Sequence, residues 1–307
     1  MSGIILITGS EGLVGRALRQ RLELSRMEVR GLDIRAGGAE TGDVRDPIDV
    51  KNALRGCIGI VHLAAVSRVV WGERDPDLCW KTNVEGFRNV LEAADQLAIK
   101  PWVVFASSRE VYGQPEQLPA NEETVLRPVN VYARTKVAGE QLVAEARGRG
   151  LRACVIRLSN VYGCTQDHPD RVVPAFARAA LLGEQLRVDG SEHTFDFTHI
   201  DDVARGIAAL VDLLSHGIAA PPAIHFVSGV PTTLGQLANL AIEVAESTSM
   251  VTHAPPRNFD VAKFYGCPRR AHSLLGWTPR ISLRQGLKAL INDFSGVHKQ
   301  RTAKEAS

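Results

Sequence analysis

Ile4-Ile5-Leu6-Ile7 runs straight into Thr8-Gly9-Ser10-Glu11-Gly12-Leu13-Val14-Gly15. A short β-branched apolar run reads as a buried parallel strand, and from Leu13 to Leu24 the apolar residues fall at helical spacing. Strand, glycine turn and helix therefore follow in the order of a dinucleotide-binding βα unit. Gly9 allows the tight turn, Gly12 lets backbone amides approach a pyrophosphate, and Gly15 permits close packing of helix on strand. Leu13 and Val14 open the helix, whose N-terminus supplies partial positive charge. Val29-Arg30-Gly31-Leu32 makes a second short strand that leads into Asp33, eighteen residues after Gly15. A carboxylate there binds the ribose hydroxyls of NAD and repels the extra phosphate of NADP. Ile34 and Arg35 complete this edge of the cofactor set, and Arg35 could attract that same phosphate.

Further along, strand-like and helix-like stretches alternate. Strands are predicted at 58–63, 102–105 and 152–158, with helices around 83–97 and 132–146. That rhythm implies right-handed βαβ crossovers and an α/β fold, a Rossmann-type doubly wound parallel sheet. Past about Asn160 the pattern loosens, and Pro and Gly become frequent over 161–174 and 217–231. Residues 1–160 are therefore expected to form the NAD-binding domain. A smaller C-terminal substrate lobe should occupy 161–297 and return partly to the main sheet, leaving 298–307 as a polar, frayed tail.

Composition sets the outer limits. With 307 residues, 45% hydrophobic and 23% charged, the chain can bury a large core, and a formal charge of +2 argues for neither nucleic acid nor anionic membrane as a partner. The N-terminal apolar run is too short for a signal peptide, and no uninterrupted apolar stretch is long enough to span a bilayer, so a cytoplasmic protein is expected. Cys57, Cys79, Cys154, Cys164 and Cys267 are scattered without metal-ligand spacing and read as idle thiols; no metal site is expected.

Tyr132-Ala133-Arg134-Thr135-Lys136 places a phenol and an ammonium four residues apart, one helical turn along one face. A tyrosine titrates near pH ~10 in water, and an ammonium beside it favours the phenolate, so the pair forms a candidate general base. A Ser-Ser pair, Ser107-Ser108, lies shortly upstream.

With these motifs assembled, the chain resembles the extended short-chain dehydrogenase/reductases of the nucleotide-sugar epimerase/dehydratase family over about residues 3–290. The glycine turn is Gly9, Gly12 and Gly15. Gly42-Asp43-Val44-Arg45-Asp46 is similar to the segment whose first Asp holds the adenine amino group, and His62-Leu63-Ala64-Ala65 to the stretch lining the cofactor. Asn83 matches the family's helix asparagine, and Ser107-Ser108-Arg109-Glu110-Val111-Tyr112-Gly113 its Ser-Ser-x-x-Val-Tyr-Gly signature. The resemblance implies NAD as cofactor, held by these residues together with Ser107, Tyr132 and Lys136. It also implies a nucleotide-sugar substrate, and a homodimer built on the helices around 83–97 and 132–146.

It implies roles as well. Tyr132 would accept the proton of a sugar hydroxyl, Lys136 would lower the tyrosine's pKa and bind the nicotinamide ribose, and Ser108 would share the same sugar oxygen. Glu110 admits two readings, a carboxylate acting on the substrate or a loop carboxylate paired with Arg109. Where 4,6-dehydratases carry an acidic proton donor this chain has Arg109, which stays protonated and cannot be that acid. Epimerisation at carbon 4 therefore leads over dehydration, decarboxylation or reduction, with a non-catalytic dinucleotide sensor as the alternative outside the enzyme class. On the substrate side the resemblance points to Ser108, Asn160, Arg171, Arg187 and Arg257. Phe195 stands where the family usually has a diphosphate-binding Arg, which implies an altered substrate or a replacement such as His193 or Arg187.

Overall fold

In the computed structural model, which describes residues 3–256 and 261–305, the opening run becomes β1 (Ile4–Thr8) and the glycine turn delivers α1 (Leu13–Leu24). The chain continues through β2 (Val29–Leu32), α2 (Pro47–Ala53), β3 (Cys57–His62), α3 (Val69–Arg74), α4 (Pro76–Trp80), α5 (Gly86–Asp95) and β4 (Trp102–Ser108). Next come α6 (Val131–Gly148), β5 (Ala153–Leu158), β6 (Asn160–Tyr162), α7 (Val172–Leu182), β7 (Leu186–Asp189), β8 (Thr194–His199) and α8 (Ile200–Ser215). The last elements are β9 (Ile224–Phe226), β10 (Pro231–Thr233), α9 (Leu234–Val244), β11 (Val251–Ala254), α10 (Arg269–Leu275) and α11 (Leu283–Glu305).

Six strands form one parallel sheet in the order β2-β1-β3-β4-β5-β9, the doubly wound arrangement that the alternating sequence implies. The pleat divides each strand between two cores. Ile5 and Ile7 pack with Leu18 and Leu22 of α1 and Val203, Ile207 and Leu210 of α8. Leu6, Ile60, Val103 and Phe105 face the other way, against Val50 of α2, Phe87 and Val90 of α5, and Leu142 and Val143 of α6. α8 and β9 thus bring later chain back to the main sheet. A third core joins α7, α9 and α11 to the small β10-β8-β6 sheet and the parallel β11-β7 pair.

Two elements depart from expectation. The helix predicted around 83–97 begins earlier, at Pro76, where the Asp75 side chain accepts from the Leu78 amide and Pro occupies the first turn. Between α4 and α5 lies a π-turn, Lys81–Glu85, whose wider winding turns Asn83 inward. The segment from His298, expected to fray, remains helical as far as Glu305. No helix among the described residues is long and apolar enough to cross a membrane.

Candidate active site

The carboxyl ends of the parallel strands open into a cleft of about 1250 Å³ whose far wall comes from the C-terminal lobe. Its cofactor side is built on backbone. Gly9 has φ +71°, and a Cβ there would sit 2.7 Å from the Ala64 amide nitrogen; one on Gly15 would lie 2.3 Å from the Gly9 carbonyl oxygen. No side chain caps the N-terminus of α1, so its first amides are left for an anion. At the end of β2 the buried Asp33 carboxylate accepts from the Glu11 amide at 3.0 Å and the Arg35 amide at 2.8 Å. The Arg35 guanidinium lies back against it at 3.4 Å. Leu13, Val14, Ile34, Asp43, Val44, Leu63, Ala64 and Ala65 line the same half of the cleft. Arg45 holds the Asp43 carboxyl below the usual carboxylate range. These residues fit a dinucleotide: a glycine cradle, uncapped amides for the pyrophosphate and a carboxylate for the ribose.

Asn83 acts differently from expectation. It is buried behind the cleft wall, where its Oδ1 accepts from the Val66 amide at 2.7 Å and its Nδ2 donates to Thr135 Oγ1 at 2.9 Å. It staples the loop after β3 to α6 and positions the cofactor wall from outside. Ser107 lines the cleft but donates its hydroxyl to Glu140.

Ser108, Tyr132 and Lys136 meet where β4 ends beside α6. Ser108 caps the 3₁₀ turn Arg109–Tyr112, its Oγ accepting from the Glu110 amide at 3.2 Å. Lys136 Nζ donates to the Ala106 carbonyl at 2.8 Å and lies 5.7 Å from the Tyr132 ring centre. Burial pushes the Tyr132 phenol up to about 12, against a hydrogen bond from Ser108 that pulls it down and the Glu110 charge that raises it further. Burial likewise pushes Lys136 down to about 8. Both groups are desolvated between β4 and α6, and the ammonium is turned to the Ala106 carbonyl.

Glu110 spends both oxygens on protein partners. Oε1 pairs with Arg109 Nη2 at 2.8 Å, and Oε2 accepts from Asn130 Nδ2 at 2.9 Å. Asn130 Oδ1 in turn accepts from the Ala133 amide at 2.8 Å, capping α6. Of the two readings of Glu110, the geometry favours the paired loop carboxylate.

On the substrate side Asn160, Arg171 and Arg187 line the cleft, while Arg257 lies outside the described residues. Arg187 is largely exposed and pairs with Asp189 at 2.9 Å, and His193 packs edge-on against Phe195 without lining the cleft. Of the two, Arg187 is the one that lines the cleft. The cation that stands on Phe195 is Arg109, its Cζ 4.5 Å from the ring centre. Sequence reasoning also missed the cleft's rim. There Arg68 stacks over Trp71 and pairs with Asp170, and Trp71 meets His168 edge-on. No local signal marks these residues, since they come together from segments about a hundred positions apart.

A Rossmann sheet with a glycine-cradled dinucleotide half-site and a Ser-Tyr-Lys group at its edge defines a dinucleotide-dependent enzyme. The family model of the NAD dependent epimerase/dehydratase family matches residues 5–219, and the chain belongs to that family. It is 30% identical to the UDP-glucose 4-epimerase of Mycolicibacterium smegmatis, over 94% of this chain and 97% of that one. The crystal structure of the UDP-glucose 4-epimerase of Thermotoga maritima with UDP-glucose superposes with a TM-score of 0.88 at 27% identity, covering 96% of this chain and 99% of that one. MoeE5, solved with UDP-glucuronic acid and NAD, superposes with a TM-score of 0.86 at 27% identity, covering 94% and 98%. The protein is an enzyme of this family, and its cofactor is NAD.

Proposed function

We propose that the chain is a nucleotide-sugar 4-epimerase that works through a transient 4-keto sugar. The observation that carries this reading is the commitment of Glu110. With both oxygens held by Arg109 and Asn130, and with Arg109 unable to donate a proton, the site offers hydroxyl oxidation without an acid–base pair for elimination. NAD, when bound, takes up and returns the hydride and adds a positive charge on the nicotinamide side. Carbon 4 of the sugar gives its hydroxyl proton to Tyr132 Oη, and Ser108 Oγ holds the same oxygen. Lys136, released from the Ala106 carbonyl toward the ribose, keeps a positive charge near the phenolate. The ketone then turns in the cleft and regains hydride on its other face and its proton from Tyr132 Oη, so no net redox change occurs. The catalysed relatives and the cleft's size support a nucleotide-linked sugar as the substrate.

NMR analysis of products from UDP-, dTDP-, CDP- and GDP-sugars tests the reading. An inverted hydroxyl at carbon 4 without released NADH is expected. A 4-keto-6-deoxy or pentose product would overturn it in favour of dehydration or decarboxylation. The same reading includes a cytoplasmic homodimer pairing α5 and α6 with those of a second copy. Its support is the charged rim of Arg88 and Glu92 on α5 and Glu145 on α6, where opposite signs suit antiparallel self-association. Sedimentation as a monomer at micromolar concentration would remove that part.

A further inference from the structure

Arg109 is 8% exposed and lies on the cleft wall directly after Ser108. Its planar group is held on three sides. Nε donates to Asn160 Oδ1 at 3.3 Å, Nη2 pairs with Glu110 at 2.8 Å, and the face rests on the Phe195 ring. The Phe264 ring centre also lies near, 6.0 Å from Cζ. Nη1 alone is buried without a partner. A guanidinium cannot shed its proton, so an unmet pair of charged donors in a buried place costs more than a neutral one would. Three fixed contacts also leave this cation little freedom to turn elsewhere. A cation on the cleft wall, next in the chain to Ser108 and with one nitrogen unmet, is suited to an acceptor that arrives with the substrate, and it is matched best by an anionic one.

We propose that Arg109 is a specificity-determining residue whose Nη1 binds a carboxylate on the sugar, biasing the enzyme toward nucleotide-linked uronic acids over neutral sugars. The proposal rests on the nucleotide-sugar reading of the cleft. A carboxylate is favoured over the diphosphate because Arg109 adjoins Ser108, the residue that meets the reacting carbon's oxygen, and because Arg171 and Arg187 supply cations elsewhere along the cleft. Glu110 does not remove the need for this acceptor: it occupies Nη2 and is itself shared with Asn130, leaving both Nη1 donors unmet.

The test uses the NAD-loaded full chain with two probes that share a diphosphate and differ in the carboxylate, UDP-glucuronic acid and UDP-glucose. Dissociation constants from calorimetry and carbon-4 inversion by NMR are measured for wild type, Arg109→Gln and Arg109→Lys. Wild type is expected to bind UDP-glucuronic acid more tightly than UDP-glucose. Arg109→Gln should weaken UDP-glucuronic acid by about 10- to 100-fold while leaving UDP-glucose within about threefold, and Arg109→Lys should restore part of the preference. NAD affinity and melting temperature, measured for each variant, separate this from a misfolded cleft. Equal weakening of both probes would assign the guanidinium to the shared diphosphate and overturn the proposal, as would unchanged binding of UDP-glucuronic acid or failure of wild type to bind it. A retained difference in binding without carbon-4 inversion would sink the epimerase reading and leave Arg109 standing. Inversion with no difference in binding would do the reverse.

Discussion

Tyr132 and Lys136 bear opposite shifts for a single reason. Both charged forms lose hydration in the crowded space between β4 and α6, so the phenol is pushed up to about 12 and the ammonium down to about 8. The four-residue spacing brings them to one face, where the ammonium donates to the Ala106 carbonyl at 2.8 Å and lies 5.7 Å from the tyrosine's ring centre. Removing only the phenol oxygen in Tyr132→Phe should preserve fold and NAD binding and slow turnover by about 10² or more. Near-normal turnover in that variant would take Tyr132 out of the mechanism. Difference absorbance of the phenolate, recorded against a Tyr132→Phe blank, should show this tyrosine titrating at a lower pH once NAD saturates the site. A titration unmoved by NAD would mean that the cofactor does not activate the base.

At the scale of elements, the join between the Glu110 turn and α6 sets the distance from Ser108 to Tyr132. Asn130 serves both sides, capping α6 through Oδ1 and steadying Glu110 through Nδ2. Asn130→Ala should cost about 1 kcal/mol for the lost cap and about 1–3 kcal/mol more for the unpaired buried carboxylate oxygen. Turnover should fall while NAD affinity stays near that of wild type, because the cofactor's glycine cradle lies on a different element. A variant that melts and turns over like wild type would show that the cap does not position Tyr132. The π-turn teaches a related lesson. Asp75-Pro76 is a readable helix start, but nothing local reveals that Lys81–Glu85 winds more widely. Asn83 consequently looks like a cofactor ligand in sequence and proves to be a brace between Val66 and Thr135.

Across the whole molecule, what could be read in the sequence is what local chemistry dictates. The β-branched runs, the glycine turn and Asp33 specify the parallel sheet and its cofactor edge without help from distant residues. The far wall could not be read, because Arg109 acquires Phe195, and Arg68 acquires Asp170, only when the C-terminal lobe closes on the sheet. The same burial sets how the molecule responds to acid. His62 is buried beneath the cleft against the stacked pair Phe87 and Phe105, and burial, with Lys136 nearby, pushes it down to about 3. His225, against Tyr112 and close to Arg157, is also pushed down to about 3, chiefly by burial. Both folded values lie below the ordinary value of 6.5, so between pH 6.5 and 3 the unfolded chain binds protons that the fold refuses. Stability contributed by these neutral rings is complete above 6.5 and is lost as pH falls through that window, at up to about 1.4 kcal/mol per pH unit for each ring. Asp196 and Asp167, whose carboxyls burial raises, oppose this trend, so the diagnostic quantity is the slope that one histidine carries. Urea midpoints between pH 6.5 and 5 should fall less steeply for His62→Gln than for wild type, even though the variant starts less stable through loss of the Thr8 contact. Parallel slopes for the two proteins would mean that His62 is protonated in the fold, and that the cleft floor is wetter than its packing indicates.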